Sequence, residues 1–201
     1  MQTLFDSKYP YLPFVSLMLL SLLLFIVPEP LQQLLAYQRA YLKEGELWRL
    51  VTGHLLHSNL YHLLLNTGGL LLIMLLHAGY QRQLALRWQL LLSALLISGL
   101  IYGLNPTIER YVGLSGVLHA LLFFGALMDI QTRKTGGMLL MLGILAKIGY
   151  EQFNGPDAEL GLLIEATVAI DAHLYGVISG TVLFALVTAK NNLGRKQLGG
   201  D

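Results

Sequence analysis

The sequence has no cysteine and few charged residues. Without cysteine it can form no disulfide, no thiolate metal site and no cysteine nucleophile. Only 12% of its 201 residues are charged and 55% are hydrophobic, whereas about 25% of residues are charged in an ordinary soluble domain. The net charge is +1 and no long basic cluster occurs, so we expect no nucleic-acid partner. This composition indicates a polytopic membrane protein of the all-α class.

Six apolar segments approach the roughly 20 residues that an α-helix needs to cross a bilayer. They are residues 11–27, 60–78, 84–104, 115–128, 138–153 and 166–189. The sequence shows no internal repeat, no low-complexity segment and no soluble domain. We therefore predict a single membrane domain, residues 1–201, built as a bundle of six transmembrane helices with both termini on one side.

Lysine and arginine in the connecting loops predict the orientation, because basic residues are retained on the cytoplasmic side. The basic residues on the side of the termini are Lys8, Arg82, Arg87, Arg133, Lys134, Lys190, Arg195 and Lys196. Those on the opposite side are Arg39, Lys43, Arg49 and Arg110. The excess on the first side predicts that both termini are cytoplasmic.

The connection between the first two segments, residues 28–59, carries leucines at near-helical spacing among glutamines. This pattern favours a helix that lies in the outer interface of the membrane. A packed loop with one or two helical turns is the alternative. Tyr37, Tyr41 and Trp48 are amphipathic aromatic residues of the kind found at headgroup level.

Three polar residues of different segments fall at one depth. The fourth segment is short, so if Asp129 and Arg133 mark the cytoplasmic edge, Ser115 lies about 10 Å below the outer surface. The same helix-rise arithmetic places His173 and Asn66 about 12 Å below it. Polar backbone and side chains at that depth are tolerated where they line a watered cavity, so a cavity is predicted there.

Acyl transfer is the chemistry that these groups favour. A serine hydroxyl becomes a good nucleophile when a neutral imidazole takes its proton, so Ser115 and His173 form a candidate dyad. The backbone N–H of Ser115 lies at a helix N-terminus, where the dipole stabilises a developing oxyanion. His62 and Asn66, at i and i+4 on one helix face, are further candidates to stabilise that charge.

Small residues predict that the fourth and sixth helices approach closely. Gly176 and Gly180 form a small-xxx-small stripe in the sixth segment. Gly116, Ala120 and Gly125 offer a small surface on the fourth. A close approach is what would bring the two halves of the candidate dyad together.

The base assignment has two rivals. His119 lies one turn after Ser115 on the same helix, where a hydrogen bond to the serine is possible but not favoured. Lys147 would have to be neutral to serve as base. Glu151, one turn beyond Lys147, is expected to form an ion pair with it that points outward.

Several of these polar residues can also have a purely structural role. His62 and Asn66 can act as polar contacts between helices, and His57 is an accessory candidate at best. His54 and His57 are three residues apart, but His62 falls off their face and no HExxH motif is present. We therefore expect no metal site.

A Trp-Arg pair and three motifs in the helical segments, in this order, resemble those of the rhomboid family of intramembrane serine proteases. Trp48-Arg49 is similar to that family's WR pair, and His57, His62 and Asn66 to its HxxxxHxxxN signature. Gly113-Leu114-Ser115-Gly116 resembles its GxSG motif, and Ala172-His173 with Gly176 and Gly180 its AHxxGxxxG motif. The resemblance covers all six segments, which makes it far more specific than GxSG alone.

The resemblance implies a role for each matching residue. It implies that Ser115 is the nucleophile, that His173 is the base, that His62, Asn66 and the Ser115 amide form the oxyanion hole, and that Trp48 and Arg49 anchor an interfacial loop. It also implies that no cofactor is needed and that substrate enters sideways past the fifth helix. His119 departs from the pattern, because rhomboids usually carry there an aromatic residue that stacks on the histidine.

Gly-Leu-Ser-Gly-Val-Leu-His-Ala-Leu at residues 113–121, in so compact a chain, resembles a bacterial subfamily, the rhombosortases. This implies a bacterial inner membrane and an active site open to the periplasm. The implied substrates are membrane-anchored proteins with a C-terminal Gly-Gly, an apolar helix and a basic tail. The alternative functions are those of a non-proteolytic rhomboid-like quality-control protein and of a small-molecule transporter.

Overall fold

The computed structural model describes residues 9–198, with side chains described as far as residue 194. Lys8, one of the basic residues that predict the orientation, lies outside the described residues, as do the side chains of Arg195 and Lys196. Within residues 9–198 the chain is mostly helical. The predicted all-α class therefore describes it well, apart from one pair of two-residue strands.

The helices in chain order are α1 (Leu12–Ile26), α2 (Glu29–Leu35), α3 (Arg39–Lys43), α4 (Arg49–Thr52), α5 (Leu60–His77), α6 (Leu86–Leu104), α7 (Ser115–Gln131), α8 (Gly136–Asn154), α9 (Ala158–Ile164) and α10 (Ile170–Leu198). Short 3₁₀ turns cover Gly53–Leu55 and Ala78–Arg82. The strands β1 (Tyr37–Gln38) and β2 (Arg110–Tyr111) pair antiparallel, with Tyr37 opposite Tyr111.

Each of the six predicted segments overlaps one of the longer helices, which are α1, α5, α6, α7, α8 and α10, and the last three extend beyond the predicted bounds. The last prediction was the least accurate, because α10 begins only at residue 170 and continues to residue 198. Its start is delayed because Glu165 adopts a left-handed conformation that ends α9, and non-helical backbone follows. The predicted start at residue 166 was therefore wrong.

By length and hydropathy, three helices in the described part of the chain can cross a membrane: Leu60–Arg82, Leu86–Leu104 and Ile170–Gly194. The apolar helices α1 and α7 are shorter. Lys147 and Glu151 lower the hydropathy of α8, which is not among the three. Large apolar side chains are exposed along α1 and α5, as expected where a helix faces lipid. The chain is a multi-pass membrane protein.

Helix α7 occupies the centre of the bundle. Most of its side chains are buried, and it packs against α5, α6, α8 and α10. Its contact with α10 is the closest: a Cβ at Gly176 would overlap the carbonyl oxygen of Gly116, and one at Gly180 would overlap that of Ala120. The predicted close approach is confirmed. Gly125 was assigned wrongly to it, because Gly125 lies against the ring of His77 on α5.

The connection between α1 and α5 is not one interfacial helix. It folds as the three short helices α2, α3 and α4, with β1 between the first two. Tyr37 is fully buried instead of lying at headgroup level, because β1 pairs with β2 and the Tyr37 ring meets the edge of the Tyr111 ring. Tyr41 and Trp48 are exposed, as expected for interfacial aromatic residues.

Arg39 fastens this connection to the end of α6. Its guanidinium group is buried and donates to the carbonyl oxygens of Ile101, Tyr102 and Asn105 at 2.8–2.9 Å. The last carbonyl groups of a helix have no partner within the helix, so a buried guanidinium group satisfies them. The positive charge of Arg39 therefore stabilises a contact inside the protein and is not exposed at its surface.

We predict that Gly176→Ala lowers the free energy of unfolding by about 1–3 kcal/mol, the usual effect of forcing a methyl group into a packed interior. The added Cβ would overlap backbone of α7. The measurement is the thermal unfolding midpoint in detergent. Gly143→Ala on α8 is the control, since no described atom lies within 4 Å of its Cβ position. Equal midpoints for the two variants would contradict this packing.

Candidate active site

A cavity of about 1330 Å³ lies at one end of the bundle. Side chains of α5, α7, α8 and α10 line it, together with the connections that precede α7 and α10. It receives His62, Asn66, Ser115, His119 and His173, residues that are up to 111 positions apart in the sequence, from His62 to His173. The polar residues expected at one depth therefore share one cavity.

Ser115 and His173 lie in hydrogen-bond contact. Ser115 is the first residue of α7, and His173 lies in the first turn of α10. The Nε2 atom of the imidazole is 3.0 Å from the Oγ atom of the serine. The imidazole is almost completely buried, so this hydrogen bond forms with little competition from solvent. The contact requires the small surfaces that let α7 and α10 approach.

Asn66 offers a hydrogen-bond donor to the cavity. Its side chain is buried, and among the described residues its Nδ2 atom has no hydrogen-bond partner. A buried amide group without a partner is costly, so such a group in a cavity is available to a ligand or a reacting atom. Its neighbour one turn earlier, His62, lines the same cavity.

Contacts with Asn59, Ser58 and Gly113 place the ring of His62 against the start of α7. Asn59 caps α5 by accepting a hydrogen bond from the backbone N–H of His62 at 2.9 Å. The Nδ1 atom of His62 lies 2.9 Å from the Oγ atom of Ser58, which leaves Nε2 to face the cavity side. Gly113 has a φ of +128°, and a Cβ there would lie 2.8 Å from the His62 ring. Glycine is therefore required at this position.

His57 does not join the group in the cavity. Its ring meets the edge of the His62 ring at 5.1 Å, and neither of its ring nitrogens has a hydrogen-bond partner within the described chain. Burial, together with the neighbouring His62, lowers the pKa of His57 to about 3. Burial also lowers the pKa of His54 to about 4. Both imidazoles are neutral at physiological pH.

His119 stacks on His173 instead of reaching the serine hydroxyl. The two rings are 4.2 Å apart and inclined by 22°. The Nδ1 atom of His119 donates to the backbone carbonyl oxygen of Ser115 at 2.8 Å. The resemblance to rhomboids implies an aromatic residue stacked on the histidine at this position. His119 differs from it in residue type, but its ring stacks on His173 in the same way.

Glu151 is the residue at this site that the sequence interpretation missed. The predicted ion pair with Lys147 is present, with 2.6 Å between Nζ and Oε1. The prediction that the pair points outward was wrong for Glu151, because both of its carboxylate oxygens also lie 3.0–3.1 Å from the Nδ1 atom of His173, whereas the side chain of Lys147 is exposed. A carboxylate in an apolar helix is costly unless it has partners, and this was the signal that could have found it.

Trp48 and Arg49 hold the connection between α1 and α5 together. Arg49 is buried, donates to the carbonyl oxygens of Gln33 and Ala36 at 2.6–2.7 Å, and forms an ion pair with Glu46 at 2.6 Å. The indole N–H of Trp48 donates to the carbonyl oxygen of Leu34. Their anchoring role remains a prediction, although these contacts are what an anchor needs.

The rhomboid domain model matches residues 44–190, which include every residue of the three motifs. The chain belongs to the rhomboid family. Rhomboids are in general intramembrane serine proteases. No curated protein matches the chain. Within the described residues, no group of three or more histidine, aspartate and glutamate side chains is arranged to hold a metal ion.

We predict that acid destabilises this rhomboid partly through His54 and His57. Unfolding would restore ordinary imidazole pKa values near 6.5. Between that pH and about pH 4 the unfolded chain binds more protons, so the free energy of unfolding should fall with falling pH, by up to about 1.4 kcal/mol per pH unit for each histidine.

The measurement is the unfolding midpoint in detergent at several pH values in this window. In the His54→Asn, His57→Asn double variant the midpoint should depend less steeply on pH than in the unchanged protein. The comparison concerns slopes, so a uniform loss of stability in the variant does not affect it. Identical slopes would refute the assignment.

Proposed function

We propose that this rhomboid is an active protease of six membrane-spanning helices in which Ser115 is the nucleophile and His173 the general base. The observation that carries the proposal is the 3.0 Å contact between the serine Oγ and the imidazole Nε2 inside a large cavity. A nucleophile in hydrogen-bond contact with a base is the arrangement that acyl transfer requires.

In the proposed reaction Ser115 Oγ attacks the scissile carbonyl carbon while His173 Nε2 takes the hydroxyl proton. The resulting oxyanion accepts hydrogen bonds from the backbone N–H of Ser115, from Asn66 Nδ2 and from His62. Collapse of this intermediate breaks the C–N bond, and the imidazolium gives its proton to the leaving amine. Water then attacks the acyl-enzyme with the same imidazole as base. The unpartnered amide group of Asn66 supports its assignment as a donor.

We further propose that the protein lies in a bacterial inner membrane, with both termini in the cytoplasm and the cavity open to the periplasm. Ser115 and His173 lie in the first turns of α7 and α10 and Glu151 lies in the last turn of α8, and these helix ends all lie at the end of the bundle away from the termini. On that side Arg39 and Arg49 are buried in structural contacts, so they add little to the basic residues at the surface. The exposed basic residues are therefore concentrated on the side of the termini, which supports the proposed orientation.

The proposed substrates are membrane-anchored proteins with a C-terminal Gly-Gly, an apolar helix and a basic tail, as the likeness of residues 113–121 to rhombosortases implies. Glycine weakens a helix, so a Gly-Gly pair at the outer end of an anchor lets the backbone unwind into the cavity. Water resolves the acyl-enzyme in this scheme, and an amine is the other acceptor that the subfamily's name implies.

We expect a fluorophosphonate probe to label the purified protein in liposomes and to lose all labelling in Ser115→Ala. Labelling should fall strongly in His173→Ala and far less in His119→Ala, because His173 Nε2 contacts the hydroxyl group whereas His119 Nδ1 donates to the backbone carbonyl oxygen of Ser115. Labelling that survives Ser115→Ala eliminates the proposed nucleophile. Equal losses in the two histidine variants would mean that the base is wrongly assigned.

We also expect cleavage of a reporter that carries Gly-Gly, an apolar helix and a basic tail when it is co-expressed with this protein. Mass spectrometry should find a new C-terminus at or next to the Gly-Gly pair. A matched reporter with Leu-Leu in place of Gly-Gly should remain largely intact, since leucine keeps the helix wound. Equal cleavage of both reporters would contradict the proposed specificity.

A further inference from the structure

Glu151 makes a contact that a serine–histidine pair alone does not need. Its two carboxylate oxygens lie 3.0 and 3.1 Å from His173 Nδ1, on the opposite side of the ring from Ser115. The carboxylate and the imidazole are both largely buried, with side-chain exposures of 14% and 7%. Three helices, α7, α10 and α8, thus contribute one continuous chain of hydrogen bonds.

We propose that Glu151 is a positioning residue that orients His173 and selects the tautomer able to accept the proton of Ser115. The inference rests on the proposed function, because it assigns a task to Glu151 only if His173 is the base. The family resemblance implies a pair, Ser115 and His173. The proposal extends this pair to a chain of three residues that ends in Glu151.

The tautomer follows from hydrogen-bonding capacity. An ionised carboxylate can only accept, so the Nδ1 atom of His173 must carry the proton and donate it to Glu151. Nε2 is then left without a proton and can accept from the Ser115 hydroxyl group. When Nε2 takes that proton during attack, the imidazolium lies against a negative charge, which stabilises it.

Lys147 explains why the carboxylate can stay ionised inside an apolar helix. Its Nζ atom lies 2.6 Å from Glu151 Oε1, and its side chain is 49% exposed. The ammonium group therefore neutralises the carboxylate while it remains in contact with solvent or headgroups. One oxygen of Glu151 can serve the lysine while both remain within reach of the imidazole.

No other described carboxylate contacts the ring of His173. Ser115 and Glu151 contact the ring, His119 stacks on it and His62 lies close enough to act on its charge. Asp171 is the acid in the first turn of α10 and also lines the cavity. Asp171 is engaged elsewhere, since its Oδ2 atom accepts from the side chain of Asn105 at 2.6 Å. Glu151 is therefore the described acid placed to orient the base.

The test compares four variants by the rate constant for fluorophosphonate labelling of Ser115 in liposomes. Glu151→Gln should lower it about 10²-fold or more, towards the roughly 10⁴-fold loss seen when such a carboxylate becomes an amide and the histidine takes the wrong tautomer. Glu151→Asp should recover part of the loss. Glu159→Gln, which removes another cavity carboxylate, should lower the rate far less. Lys147→Gln should lower it by an intermediate amount, because it removes the charge that helps to keep Glu151 ionised.

A second measurement does not depend on activity. In protein labelled with ¹⁵N-histidine, the resonances assigned to His173 by their loss in His173→Asn should show a neutral ring protonated at Nδ1. In Glu151→Gln that signature should weaken or disappear. A ring protonated at Nε2 in the unchanged protein would overturn the proposal, whatever the variants do to stability.

Two further outcomes separate this inference from the proposed function. If Glu151→Gln is labelled at the unchanged rate while Ser115→Ala and His173→Ala are not labelled, the positioning role is refuted and the dyad stands. If Glu151→Gln and Glu159→Gln lose labelling equally, the loss does not depend on the contact with His173 and the positioning role is refuted. Labelling of Ser115→Ala overturns the proposed function and this inference with it.

Discussion

The distance between α7 and α10 governs the rest of the site. Ser115 and His173 can share a hydrogen bond only because Gly116 and Gly176 let the two backbones meet without intervening side chains. In a membrane this contact cannot rely on the hydrophobic effect, since lipid solvates apolar side chains as well as protein does. Close van der Waals packing must hold the helices together, which makes the glycine positions part of the site.

Two buried arginines of the scaffold and the buried Asn66 of the site differ in how their polar groups are paired. Arg39 and Arg49 are buried, and each donates hydrogen bonds to several carbonyl oxygens. These bonds hold the connection between α1 and α5 in place. Asn66 is buried with a donor left over, and that donor belongs to the side chain that lines the cavity. Because a buried donor without a partner is costly, the place of this one in the cavity wall makes it available to a reacting group.

The sequence predicted those features that depend on one helix at a time. Helix rise and segment length suffice to place Ser115, His173 and Asn66 at one depth, and the structure brings them to one cavity. It did not predict that Tyr37 is buried, because this depends on strand pairing with residues more than 70 positions away. Nor did it predict the orientation of Glu151, because rotation of α8 about its axis depends on packing with α10.

Helix α8 supplies the third member of the chain of hydrogen bonds yet is the long helix least enclosed by protein. Its buried residues are Gly137, Ile144 and Ile148, and Gly137 packs the first turn of α8 closely against the end of α7. At the other end the contact of Glu151 with His173 is polar. An outward shift of that end would leave the serine and histidine in place but withdraw the carboxylate. The pairing of nucleophile and base therefore depends on tight packing, whereas the orientation of the base depends on a single hydrogen-bonded contact.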